Sequence, residues 1–108
     1  TMNLSDLYQL IEKHYIFNGD AYPAIGKINA KEPFQAFVLN HVLLHAVKQT
    51  GKLATIAEAY DHSGNFRQGA RELIRESAAK LIVNSIQLAA HFDIDPDELE
   101  TSIRDSLK

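Results

Sequence analysis

The chain has 108 residues, of which 45% are hydrophobic and 23% charged, and its formal net charge at pH 7 is -3. This length and composition are typical of one globular domain, so we expect residues 1–108 to form a single domain. The negative charge excludes a nucleic-acid binder that works through bulk electrostatics. The chain has no cysteine, which excludes disulfides, thiolate metal ligands and a thiol nucleophile.

The chain has no basic segment followed by an apolar run at its start, and no uninterrupted apolar stretch approaches the length of about 18 residues that a membrane span needs. We therefore expect no signal peptide and no membrane partner. With the lack of cysteine, this pattern favours the cytoplasm.

The first predicted helix has about 10 to 14 residues, with Ser5 as its N-cap. Its inward side is expected to carry Leu7, Tyr8, Leu10, Ile11 and Tyr15. A loop with two glycines and a proline follows at 17–31. Its apolar residues predict that it packs against the helices, through Tyr22, Ile25 and Ile28.

The second predicted helix runs from Pro33 to about Tyr60, as one helix or as two collinear ones that meet near Gly51. Apolar residues lie around most of its circumference: Phe37, Val38, Leu39, Val42, Leu43, Leu44, Val47, Leu53 and Ile56. Such a helix is expected to be buried on nearly every side, and in a chain of this size that requires a second subunit. The exception is a polar stripe about 60° wide, made of His41, His45, Lys48 and Lys52.

The third predicted helix covers about 70–92 and repeats this design. Its polar stripe is Ser77, Lys80, Asn84, Gln87 and His91. Asp95 caps a last helix from Pro96 to about Leu107. No strand alternation is present, so the sequence predicts an all-α four-helix bundle in which the two polar stripes face a shared cleft.

Two segments, KQTGKLATIAE at 48–58 and ESAAKLIVNSIQLAAHFDIDPDELE at 76–100, resemble the two signature helices of the MazG-like nucleotide pyrophosphohydrolases of the all-α NTP pyrophosphatase superfamily. The likeness covers about residues 34–105 and rests on Gly51, Leu53, Ala54, the apolar run 81–90 and the turn 92–95 before Leu99. It implies a MazG-like fold and, in the family, Mg²⁺-dependent hydrolysis of nucleoside triphosphates. Together with the second subunit expected from the apolar second helix, we predict a homodimer.

The positions that carry acidic residues in that family are not acidic here: they are Lys48, Gln49, Lys52, Ser77 and Lys80. Magnesium prefers carboxylate oxygens, and a cation held about 4 Å from an ammonium group costs about 4 kcal/mol at an effective dielectric near 20. We therefore expect no metal, no cofactor and no hydrolysis by the family mechanism.

Three functions are compatible with the sequence. In the first, the cleft binds a nucleotide or other phosphorylated small molecule without a metal, through His41, His45, Lys48, Gln49, Lys52, Ser77, Lys80 and Asn84. In the second, the protein is a dimeric interaction module whose lysines are closed by internal ion pairs with Glu58, Glu72 and Glu76. In the third, it is an active pyrophosphohydrolase that uses Mg²⁺ with other carboxylates, chiefly Glu58, Asp61 and Glu76.

The spacing of His41 and His45 places both imidazoles on one helix face, as in some zinc sites. The segment HVLLH lacks the glutamate of the zinc-protease motif, and Lys48 lies one turn away. We therefore interpret the two histidines as a polar pair in the cleft and not as metal ligands.

Overall fold

The computed structural model describes all residues, 1–108, and all of its regular secondary structure is helical. Its elements are α1 (Leu4–His14), a short 3₁₀ helix (Pro23–Lys27), α2 (Lys31–Ser63), α3 (Ala70–His91) and α4 (Pro96–Ser106). Four α-helices and no strand confirm the predicted all-α class. None of these helices combines the length and the hydropathy that a membrane crossing needs.

The two long helices, α2 and α3, form an antiparallel hairpin. α2 continues without a break through Gly51, so the single-helix alternative is the correct one. It ends at Gly64, whose φ of 75° is left-handed and whose N–H donates to the Tyr60 carbonyl. At the other end of the hairpin, the Gln35 side-chain amide donates to the His91 carbonyl at 3.0 Å, which fixes the start of α2 beside the end of α3.

The hairpin is held by a seam of residues that recur every seven positions on each helix. The buried members of the seam are Val42, Gln49 and Ile56 on α2, and Ala70, Ser77 and Asn84 on α3. A spacing of seven keeps one face of a helix turned toward its neighbour, as in a coiled coil. Half of these seam residues are polar, which is uncommon for an interface between helices.

α3 covers this face, and the segment before α2 covers the side that carries Phe37 and His41. Other faces of α2 are open, so the prediction that α2 is buried on nearly every side is wrong for the single chain. Leu43, Leu44 and Val47 are 56%, 60% and 60% exposed. The sequence correctly indicates the apolar circumference of α2, but one partner helix covers only about one stripe of it.

The main hydrophobic cluster lies at one end of the hairpin, where α1 packs against α3 and α4. It contains Tyr8 and Ile11 from α1 with Ile86 and Ala89 from α3. The Tyr8 hydroxyl donates to the Ile94 carbonyl at 2.9 Å, which links α1 to the turn before α4.

Several predicted boundaries shift in the structure. The N-cap of α1 is Asn3 and not Ser5, because Asn3 and Asp6 form a reciprocal capping box. α2 begins at Lys31, two residues before Pro33. Asp95 caps α4 as predicted, with its Oδ1 accepting the Glu98 N–H at 2.8 Å.

The remaining packing predictions are met in part. Ile25 of the 17–31 segment is buried, which confirms that this loop packs down, whereas Leu10 and Tyr15, expected to face inward, are exposed.

The molecule is elongated, with extents of 51 × 35 × 25 Å and a radius of gyration of 16.7 Å. A compact chain of this length has a radius of gyration of about 13 Å. Only 13 of the 108 residues are buried, so the hairpin extends well beyond the hydrophobic cluster that anchors its end.

Candidate functional site

A cavity of about 240 Å³ opens between α2 and α3. The segment between α1 and the 3₁₀ helix forms a third side. The lining residues are Tyr15, Tyr22, His41, His45, Lys48, Gln49, Lys80, Val83, Asn84 and Gln87. Aromatic rings, primary amides and two lysines therefore surround the cavity, and no carboxylate lines it.

Six of the eight predicted ligand-binding residues lie together at this cavity: His41, His45, Lys48, Gln49, Lys80 and Asn84. Positions three, four and seven apart share one face of a helix, which is why three members of each polar stripe line the cavity: His41, His45 and Lys48 on α2, and Lys80, Asn84 and Gln87 on α3. Ser77 is instead buried in the seam, and Lys52 is exposed outside the cavity lining.

The sequence did not mark Tyr15 and Tyr22 as site residues. Tyr15 follows the last residue of α1, and Tyr22 immediately precedes the 3₁₀ helix. Both reach the cavity through the path of the loop across α2, which depends on tertiary packing. The sequence indicated only that Tyr22 packs against the helices, and not that it lines a cavity.

The cavity lysines have no intramolecular carboxylate partner. The structure contains four ion pairs, which are Lys31–Asp93, His62–Glu58, Arg104–Glu100 and Lys108–Asp105. None of them involves Lys48, Lys52 or Lys80, so the internal ion pairs expected by the interaction-module hypothesis do not form within this chain. Two ammonium groups therefore give the cavity a positive charge.

Two buried amides of the cavity lack hydrogen-bond partners. Gln49 is 4% exposed and Asn84 is 9% exposed, and the Gln49 Oε1 and Asn84 Nδ2 atoms are both unpaired. Buried polar side chains nearly always have a partner, and a buried unpaired group costs about 1–3 kcal/mol. The chain keeps two such groups at one cavity, one from each helix.

His41 of α2 lies at the centre of an aromatic cluster, where α2 meets the third side of the cavity. Its ring centroid is 5.4 Å from Phe17, 4.9 Å from Tyr22, 5.9 Å from Phe37 and 4.4 Å from His45. Burial lowers the pKa of His41, and the neighbouring His45 lowers it further. At neutral pH His41 is therefore an uncharged aromatic wall and not a cation.

The carboxylates proposed for catalysis lie elsewhere. Glu58, Asp61 and Glu76 are exposed and do not line the cavity. Glu58 faces His62 at 3.8 Å on the surface of α2. The structure has no group of three or more histidine, aspartate or glutamate side chains that could hold a metal ion.

No protein-family model, curated protein or solved structure matches this chain. The likeness of 48–58 and 76–100 to the MazG-like helices therefore remains a resemblance of sequence. What the cavity binds has to be inferred from the geometry of its own residues.

The lowered pKa of His41 predicts how stability depends on pH. Its pKa lies below the unfolded value near 6.5, so the unfolded state binds more protons between those two values and stability falls as the pH falls through that window. We expect the free energy of unfolding in urea to decrease from pH 7.5 to pH 5.5 more steeply in the wild type than in His41→Phe.

The control is His14→Phe, at an exposed residue in the last turn of α1, which should keep the wild-type pH dependence. Equal pH dependence in His41→Phe and the wild type would contradict this account of His41.

Proposed function

We propose that this chain is a MazG-like all-α domain whose cleft binds a nucleotide or other phosphorylated small molecule directly, without Mg²⁺ and without hydrolysis by the family mechanism. The observation that carries the proposal is the pairing of Lys48 and Lys80 across one cavity that no carboxylate lines.

Lysine is a competent point-charge ligand for phosphate. Lys48 and Lys80 are exposed at the cavity and have no acidic partner within the chain, so both ammonium groups are free to contact a bound anion. The cavity volume of about 240 Å³ lies just below the range of about 300–1,000 Å³ that small-molecule sites occupy. These features favour a small anionic ligand over a peptide.

The resemblance to the MazG-like helices supports the same cleft. Of the five positions that are acidic in that family, Lys48, Gln49 and Lys80 line the cavity. A change from carboxylates to lysines and an amide reverses the charge that such a cleft accepts, from a cation to an anion.

The active-enzyme alternative has less support. Metal-assisted hydrolysis needs oxygen ligands that hold Mg²⁺ beside the phosphates, and Glu58, Asp61 and Glu76 are exposed and outside the cavity lining.

We further propose that the protein forms a homodimer through the outer face of the hairpin. Leu43, Leu44 and Val47 are more than half exposed and lie on one side of α2. This exposed apolar strip on an elongated chain indicates a protein interface. A second copy is the favoured partner, because an isologous dimer pairs the same strip with itself. The interaction-module hypothesis uses the same dimer without a ligand.

If the two lysines bind the ligand, Lys48→Gln and Lys80→Gln should each lose affinity for phosphate and nucleotides. A hydrogen bond to a charged group contributes about 1.5–3 kcal/mol, so each change should weaken binding by about tenfold or more. Isothermal titration calorimetry and thermal shift with inorganic phosphate and nucleotides, with and without Mg²⁺, measure this. Lys13→Gln, at an exposed lysine on α1 outside the cavity, is the matched control and should bind like the wild type.

Stabilisation that is independent of Mg²⁺ and lost in the two cavity variants supports the proposal. Mg²⁺-dependent turnover of a nucleoside triphosphate would contradict it in favour of the enzyme alternative. A complete lack of binding would favour the interaction module.

The homodimer predicts that Leu43→Glu and Val47→Glu reduce the mass in solution from twice 12.1 kDa to 12.1 kDa. A charge placed in an apolar interface must be desolvated without a partner, which disfavours association. Size-exclusion chromatography with light scattering measures the mass. Leu107→Glu, at the 81% exposed residue beyond α4, should remain dimeric, and a wild-type monomer at all concentrations would exclude the dimer.

A further inference from the structure

The unpaired amides indicate what else the ligand carries besides phosphate. Gln49 Oε1 is an acceptor that needs a donor, and Asn84 Nδ2 is a donor that needs an acceptor. Gln49 and Asn84 both line the cavity, and a half-turn of either group exchanges its oxygen and nitrogen, so each amide can turn one polar atom toward a ligand. A phosphate bound by the lysines supplies only acceptors and leaves an amide oxygen unpaired.

The aromatic residues indicate the shape of the part of the ligand that is not phosphate. Tyr15, Tyr22, His41 and His45 line the cavity, and Phe37 stacks behind His41 with its ring plane 13° from parallel. Their faces and edges favour a flat ring over an aliphatic chain, because planar rings stack on aromatic side chains. Burial lowers the pKa of His41, which keeps that ring uncharged near neutral pH.

The charge of the cavity favours a ligand with a single phosphate. Lys48 and Lys80 supply two positive charges, and the structure has no cluster of acidic or histidine ligands for a metal. A phosphate monoester carries a charge of about -1.5 to -2 at pH 7, which two lysines neutralise. A triphosphate carries more negative charge than this cavity balances without a metal ion.

We infer that the cavity takes the phosphate monoester of an N-heteroaromatic compound, with nucleoside monophosphates as the simplest examples: the phosphate lies between Lys48 and Lys80, the ring lies against the aromatic wall, and ring nitrogens or exocyclic groups pair with Gln49 and Asn84. This inference rests on the proposed function and specifies the ligand of that same site. A sugar phosphate also offers donors and acceptors, but it lacks the flat face that the aromatic wall accepts.

The test compares the affinities of the full chain for matched probes by isothermal titration calorimetry at fixed salt. The probes are the four common nucleoside monophosphates, ribose 5-phosphate, inorganic phosphate, and ATP with Mg²⁺. We expect at least one monophosphate to bind about tenfold or more tightly than ribose 5-phosphate, because stacking and two hydrogen bonds add to the phosphate contact. ATP with Mg²⁺ should bind no more tightly than that monophosphate.

Two variants, each of which replaces an amide by an apolar side chain of similar size, test the contacts between the amides and the ring. Gln49→Leu and Asn84→Leu should each weaken monophosphate binding by about fivefold to tenfold, since each loses one hydrogen bond, and should leave binding of ribose 5-phosphate unchanged. Gln9→Leu and Asn40→Leu make the same substitutions at exposed positions outside the cavity and should alter neither affinity.

The outcomes separate this inference from the proposed function. If ribose 5-phosphate binds as tightly as every monophosphate, the ring assignment is overturned while phosphate binding by the lysines stands. If ATP with Mg²⁺ binds more than tenfold tighter than every monophosphate, the monoester assignment is overturned. If no phosphorylated probe binds, both proposals fail. The affinities of the wild type for the different probes test the inference even if a cavity variant does not fold.

Discussion

The seam between α2 and α3 is the interaction on which the rest of this structure depends. It joins a 33-residue helix to a 22-residue helix through buried residues spaced seven apart. Apolar side chains occupy its ends, at Ile56 with Ala70 and at Val42, whereas Gln49, Ser77 and Asn84 are buried and polar. A seam optimised for stability would carry apolar residues at those positions.

The polar part of the seam adjoins the cavity and supplies its amides. Buried groups without partners lower stability, and sites of binding often keep such groups because a ligand satisfies them. Lys48 and Lys80 are exposed and line the same cavity, so the amides and the lysines together form one polar, cationic surface between the two helices. The lack of ion pairs at these lysines is consistent with that reading.

Much of the fold could be predicted from local chemistry. The helices, the loops at glycines and the Asp95 cap follow from interactions within a few residues. The N-cap of α1 was misassigned because Asn3 and Ser5 are both good capping residues, and only Asn3 has Asp6 at the distance that completes a capping box.

The orientation of α2 could not be predicted in the same way. Its apolar residues occupy most directions, so hydrophobicity alone does not select the face that meets α3. The seven-residue spacing of Val42, Gln49 and Ile56 was present in the sequence, but one of its three members is polar. The two polar stripes did predict most of the cavity, because stripes on paired helices meet when the helices pack. Tyr15 and Tyr22 depend on the path of a loop, which has no such periodicity.

The most direct measurement of the central claim is the free energy of unfolding of a seam variant that carries both Gln49→Leu and Asn84→Leu, determined in urea without phosphate or nucleotide. If the buried amides are kept for binding, removing them should raise the free energy of unfolding by about 1 kcal/mol or more relative to the wild type. A variant that is less stable than the wild type, while Gln9→Leu with Asn40→Leu has no effect, would show that the amides hold the hairpin together and would contradict the account.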